Sequence, residues 1–118
     1  MSRIALLRIA AVFCFVAVTL GAFGAHALKE TLQSSGMLDV WNKAVLYHLV
    51  HAVALMALAL YGAGNRVAYL LLAVGILFFS GSLYSMALTN VRWLGAITPV
   101  GGLCFLAGWA WLFIAPRL

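Results

Sequence analysis

VWNKAVLYHLVHAVALMALALY, residues Val40 to Tyr61, carries a single charged side chain, Lys43. As a helix rising 1.5 Å per residue it would be about 33 Å long, enough to cross a hydrocarbon core of roughly 30 Å. The stretch therefore reads as a membrane span, but its first half holds Tyr47, His48 and His51. At 100° per residue these three fall on adjoining parts of one helical surface, with Ala44 and Ala52 beside them. Ionisable groups at membrane depth face protein or a wet cavity, so this surface is expected to look toward other helices.

Three further segments approach the same length: about Ile4 to Ala27, Val67 to Leu88 and Trp93 to Ile114. Together they predict an all-α integral membrane protein, an antiparallel four-transmembrane-helix bundle in one domain over residues 1–118, with both termini on one side. The composition agrees: 67% of residues are hydrophobic and 8% charged, and the mean hydropathy is +1.15. Seven basic residues against Glu30 and Asp39 give a net charge of +5, but the cations are scattered singly near the ends of apolar runs. That distribution suits anchoring at the membrane interface, and it excludes a nucleic-acid patch. The partners it implies are the lipid bilayer and, left open, another membrane protein or a second copy. Cys14 and Cys104 sit inside apolar segments as small hydrophobes, and no disulfide is expected.

The polar segment Lys29 to Lys43 links the first two spans. Ser34 or Ser35 is a candidate N-cap for a helix entering at Gly36, with Asp39 in its first turn and Trp41 near the headgroups. Gly62 to Asn65 and Thr89-Asn90 are short connectors that force antiparallel neighbours. Arg3, Arg8, Arg66 and Arg117 lie at the end with the termini, and Lys29, Lys43 and Arg92 at the other. The arginines at the head of the first span tip the orientation toward cytoplasmic termini. Ala25-His26-Ala27 fits a signal-peptidase site, but the run before it is long for a signal segment. Gly21, Gly24 and Ala25 suit a retained packing helix. Trp93, Trp109 and Trp111 read as interfacial anchors, and Pro99 as a residue tolerated near a helix start, with Gly101-Gly102 permitting close approach.

Assigning depths from the helical rise gathers the polar residues in one half of the membrane: His26, Tyr47, His48, His51, Ser82, Tyr84, Ser85, Thr89 and Thr98. Unpaired polarity in hydrocarbon costs several kcal/mol (roughly), so this segregation implies a shared network, a wet cavity or a site. Four readings follow. The first is interhelical hydrogen bonding as structural glue. The second is a pocket for a small molecule, lipid headgroup or quinone, in which His26, Tyr47, His48, His51, Ser82, Tyr84, Ser85 and Thr98 are the candidate ligand-binding residues. The third is a metal or haem site at His26, His48 and His51, without a supporting motif or acidic ligand. The last is catalysis by Ser80, Ser82 or Ser85, which lacks an acid to orient a histidine base, so an enzyme is not expected. Ser80-Gly81-Ser82 reads instead as a close-packing site. Transport is disfavoured because the spans hold no acidic groups to carry ions. No cofactor is specified by these residues.

Four strings, one per span, resemble a known family. They are Gly21-Ala-Phe-Gly-Ala-His26-Ala-Leu, Trp41-x-x-Ala44-x-x-Tyr47-His48-x-x-His51-Ala52, Phe79-Ser-Gly-Ser-Leu-Tyr84 and Leu94-Gly95-x-Ile97-Thr98-Pro99-x-Gly101-Gly102. In this order they are similar to the family called domain of unknown function 423, to which the eukaryotic transmembrane protein 256 group is related. The resemblance implies a four-span, multi-pass protein of the bacterial inner membrane, and it implies no activity. Two roles remain in view: a polar, histidine-lined pocket for a small ligand, lipid or partner helix, or an accessory subunit that packs its small-residue faces against a larger complex.

Overall fold

A computed structural model describes residues 1–117. Its long helices are α1 (Arg3–Ala25), α3 (Leu38–Tyr61), α4 (Arg66–Thr89) and α5 (Thr98–Ile114), with the short α2 (Lys29–Ser34) between the first two. Four helices are long and apolar enough to cross a membrane, the last counted with the 3-10 turn Arg92–Ala96 that leads into α5. Helices α3 and α4 form the central pair; α1 packs on α3, and α5 packs on α4. The bundle extends 46 Å along its longest axis and 25 by 19 Å across.

The link between α1 and α3 differs from its sequence-based reading. Neither Ser34 nor Ser35 caps the second span: Lys29 to Ser34 form a helix of their own, and Ser35 closes it with its hydroxyl on the Leu32 carbonyl. Gly36, at φ +73°, then takes the left-handed conformation that an L side chain rarely adopts. Bonds from Met37 N to Leu32 O (2.8 Å) and from Gly36 N to Gln33 O (3.2 Å) complete a Schellman turn. That turn places Leu32 and Met37 in one buried cluster with Trp41. Asp39 does occupy the first turn of α3, paired with Lys43 at 3.2 Å on the exposed surface.

Trp41 is buried inside the bundle rather than presented to lipid. It is 1% exposed, and its Nε1 donates to the Leu20 carbonyl of α1 at 3.0 Å. The indole fits because Gly24 has no side chain: a Cβ there would lie 2.5 Å from Trp41 Cδ1. Arg3, similarly, does more than snorkel. Its guanidinium donates to Ala59 O at 3.1 Å and to Leu60 O, closing two of the carbonyls that the end of α3 leaves open. Asn65 Nδ2 donates to Ala115 O at 3.1 Å and ties the α3–α4 turn to the end of α5.

The fourth span, expected over 93–114, is built in two parts. Residues 92–96 form the 3-10 turn, and the α-helix begins only at Thr98, with Pro99 in its first turn where a missing N–H costs little. Glycines set the α4–α5 distance. Gly75 lies under the Phe105 ring, Gly108 against Leu72, and a Cβ on Gly101 would sit 2.7 Å from Phe79 Cα.

Candidate functional site

Residues i and i+3 on a helix diverge by 60°, and here that angle separates the two histidines of α3 by role. His51 faces α5. Its ring stacks on Phe105 at a centroid distance of 3.7 Å, and Nε2 receives a hydrogen bond from Trp109 Nε1 at 3.0 Å. Because indole N–H only donates, Nε2 must accept, and the neutral ring then carries its proton on Nδ1, which donates to the Tyr47 carbonyl at 2.8 Å. Both nitrogens are satisfied, so His51 belongs to the packing of α3 on α5. Tyr47, 41% exposed, packs its ring on Phe79 in the same layer.

His48 faces the other way, into a groove between α1 and α4. Both of those helices lean on α3 but hardly on each other. The groove runs along α1 from Val12 to Leu20 and along α4 from Ile76 to Tyr84, with His48 between them and a volume of about 340 Å³. No charged residue lines it. The Phe13 ring meets His48 edge-on at 6.2 Å, and Tyr84 Oη lies 2.9 Å from His48 Nδ1. Trp41 packs edge-on to Tyr84 at 4.8 Å, so the α2 cluster holds the tyrosine in place. Ser80 Oγ donates to Ala44 O at 2.8 Å and pins α4 to α3 beside the groove.

Two features set the groove apart. His48 is 3% exposed, yet its Nε2 has no hydrogen-bond partner among the described residues. The Phe13 backbone approaches the imidazole but makes no hydrogen bond to Nε2. Gly81, expected to bring helices together, does not: a Cβ there would meet nothing within 4 Å. It leaves a flat floor in the α4 wall.

The other candidates lie elsewhere. His26 ends α1 in a shallow depression shared with Val18, Thr19, Ala22, Phe23 and Ala27 of its own neighbourhood. The three histidines therefore do not converge, and among the described residues no group of three or more His, Cys, Asp or Glu is placed to hold a metal ion. Ser82 Oγ and Thr98 Oγ1 pair at 2.7 Å and fasten α4 to the start of α5. Ser85 is exposed and returns its hydroxyl to Gly81 O of its own helix, as Thr89 does to Ser85 O. Of the eight candidates, His48 and Tyr84 line the groove. Phe13 and Gly81 were missed there, and so was the bond from Trp109 to His51. An indole N–H within a span needs an acceptor, and a histidine on a facing helix was the available signal.

Comparison with known proteins accounts for the four strings. A family model described as "Protein of unknown function (DUF423)" matches residues 20–102. A UPF0382 membrane protein of Staphylococcus epidermidis is 47% identical over 104 residues, covering 85% of this chain and 84% of its own. The UPF0382 membrane protein YwdK of Bacillus subtilis is 41% identical over 111 residues, 89% of each chain. The UPF0382 inner membrane protein YgdD of Escherichia coli K12 is 40% identical over 116 residues, 92% of this chain and 86% of that one. No solved structure matches. With four apolar helices, a family model matching residues 20–102 and membrane-protein relatives 40–47% identical over most of its length, the chain belongs to the DUF423 family of membrane proteins.

Proposed function

We propose that this protein is a small membrane-embedded binding protein whose α1–α4 groove takes up one lipophilic molecule from the bilayer. The observation that carries the reading is the buried, unpartnered Nε2 of His48 in an otherwise apolar groove. An unpaired polar atom in such a place costs about 1–3 kcal/mol, which a ligand bearing a complementary group would recover. Small-molecule pockets run from about 300 to 1,000 Å³, and 340 Å³ lies at the small end of that range. Of the small residues that an accessory subunit would offer to a partner, Gly21 already meets Val45 of α3 inside the bundle, while Ala25 is exposed.

The test uses Gly81→Leu, which fills the groove from a position with open space around it. Wild type and variant are purified in mild detergent, and their retained lipophiles are identified by mass spectrometry. Wild type should hold about one such molecule per chain and the variant none, at equal thermal stability. Identical lipid profiles, or a stoichiometric protein partner in place of a small molecule, would overturn the proposal.

A further inference from the structure

We infer that the molecule held in the groove is a neutral lipophile of the isoprenoid-quinone class, bound by a hydrogen bond from His48 Nε2–H to a ring carbonyl; this rests on the binding function proposed above. The Tyr84 hydroxyl has one hydrogen-bond partner among the described residues, His48 Nδ1, at 2.9 Å. A phenol that accepted a proton here would leave its own O–H without an acceptor. By donating to Nδ1 it satisfies itself and assigns the imidazole proton to Nε2. The wall of the groove thus holds one buried donor without a partner, and a ligand that reaches it meets it with an acceptor.

The acceptor is neutral. No charged residue lines the groove, so a carboxylate or phosphate would be buried beside an uncharged imidazole with no countercharge. It is also a group that enters the hydrocarbon. Phe13, which covers His48, stands ten residues along α1 from Arg3, about 15 Å by helical rise, near the middle of a core roughly 30 Å thick. Ester carbonyls of glycerolipids are tethered at the edge of that core, whereas the ring of a long-chain quinone is free to enter it. The walls suit a flat ring: Gly81 offers a surface with no side chain, and the rings of Phe13 and Tyr84 stand on either side of His48. Nε2 is buried in the structure, so a side chain of the groove wall must move aside for the carbonyl to reach it.

The experiment is nitrogen NMR of the protein labelled with ¹⁵N-histidine, in nanodiscs of diether phosphatidylcholine, which carries no ester carbonyl. His48 is assigned by loss of its signals in His48→Phe. Its ring should be neutral with the proton on Nε2, while His51 carries its proton on Nδ1. Titration with a two-isoprene benzoquinone should shift the His48 Nε2 resonance saturably and leave His51 unmoved, and Gly81→Leu should abolish the shift. An Nδ1–H tautomer at His48, the absence of a saturable shift, or the same shift from diester phosphatidylcholine alone would each overturn the inference. If wild type nonetheless retains a lipophile that Gly81→Leu loses, the binding function stands and only its ligand class is wrong.

Discussion

Replacing Gly101 with alanine should push α5 off α4. A Cβ at this position would lie 2.7 Å from both Cα and Cβ of Phe79, where carbon atoms pack comfortably at about 3.5–4.0 Å. Backbone atoms cannot rotate aside, so the helices must separate locally by about 1 Å. The disturbance travels along α5. Phe105, one turn on, stacks on His51 at 3.7 Å, and Trp109, another turn on, donates to His51 at 3.0 Å. Lengthening that bond by about 1 Å ends it as a hydrogen bond. Overpacking costs about 1–3 kcal/mol and the lost buried bond about 1 kcal/mol, giving roughly 2–4 kcal/mol in all. Gly81→Ala is the control: its methyl meets nothing within 4 Å, so stability should change by less than about 1 kcal/mol, on the stabilising side expected for alanine in a helix. Reversible unfolding in mixed micelles with increasing dodecyl sulfate measures both. Equal stabilities for the two variants, or Gly81→Ala as the weaker one, would refute this account of α5 packing.

Two more outcomes follow from single contacts. Trp109→Phe keeps the ring but removes the donor to His51 Nε2, and should cost about 1 kcal/mol; in a double-mutant cycle with His51→Phe the two losses should fall short of adding, by about the energy of that bond. Arg3→Met removes the bonds to Ala59 O and Leu60 O, and should raise amide exchange in the last turn of α3 while leaving the groove residues unchanged. Uniform exchange along α3 would deny that Arg3 has a capping role.

What the chain determined by itself is its class. Runs of about 20 apolar residues have few stable arrangements in a bilayer, because every backbone N–H and C=O must be satisfied within a helix, and short links make neighbouring helices antiparallel. Hydropathy and spacing therefore carried the four spans, and the strings within them carried the family. Periodicity also buried most of the expected side of α3: Ala44, His48, His51 and Ala52 are inside, whereas Tyr47, expected with them, is 41% exposed. The division of labour among polar residues was decided only by the tertiary structure. His48 and His51 are three residues apart in one sequence, and their roles depend on which neighbour each meets, a tyrosine hydroxyl beside an apolar groove or an indole N–H on α5. Gly81 and Gly101 look alike on paper, yet one faces open space and the other the backbone of Phe79, because a glycine's value lies in what a methyl group would strike. Trp41, expected among headgroups, is buried because Gly24 of another helix makes room for it. Such facts are pairwise and long-range: each depends on how two helices are turned toward one another, and no single helix encodes that rotation.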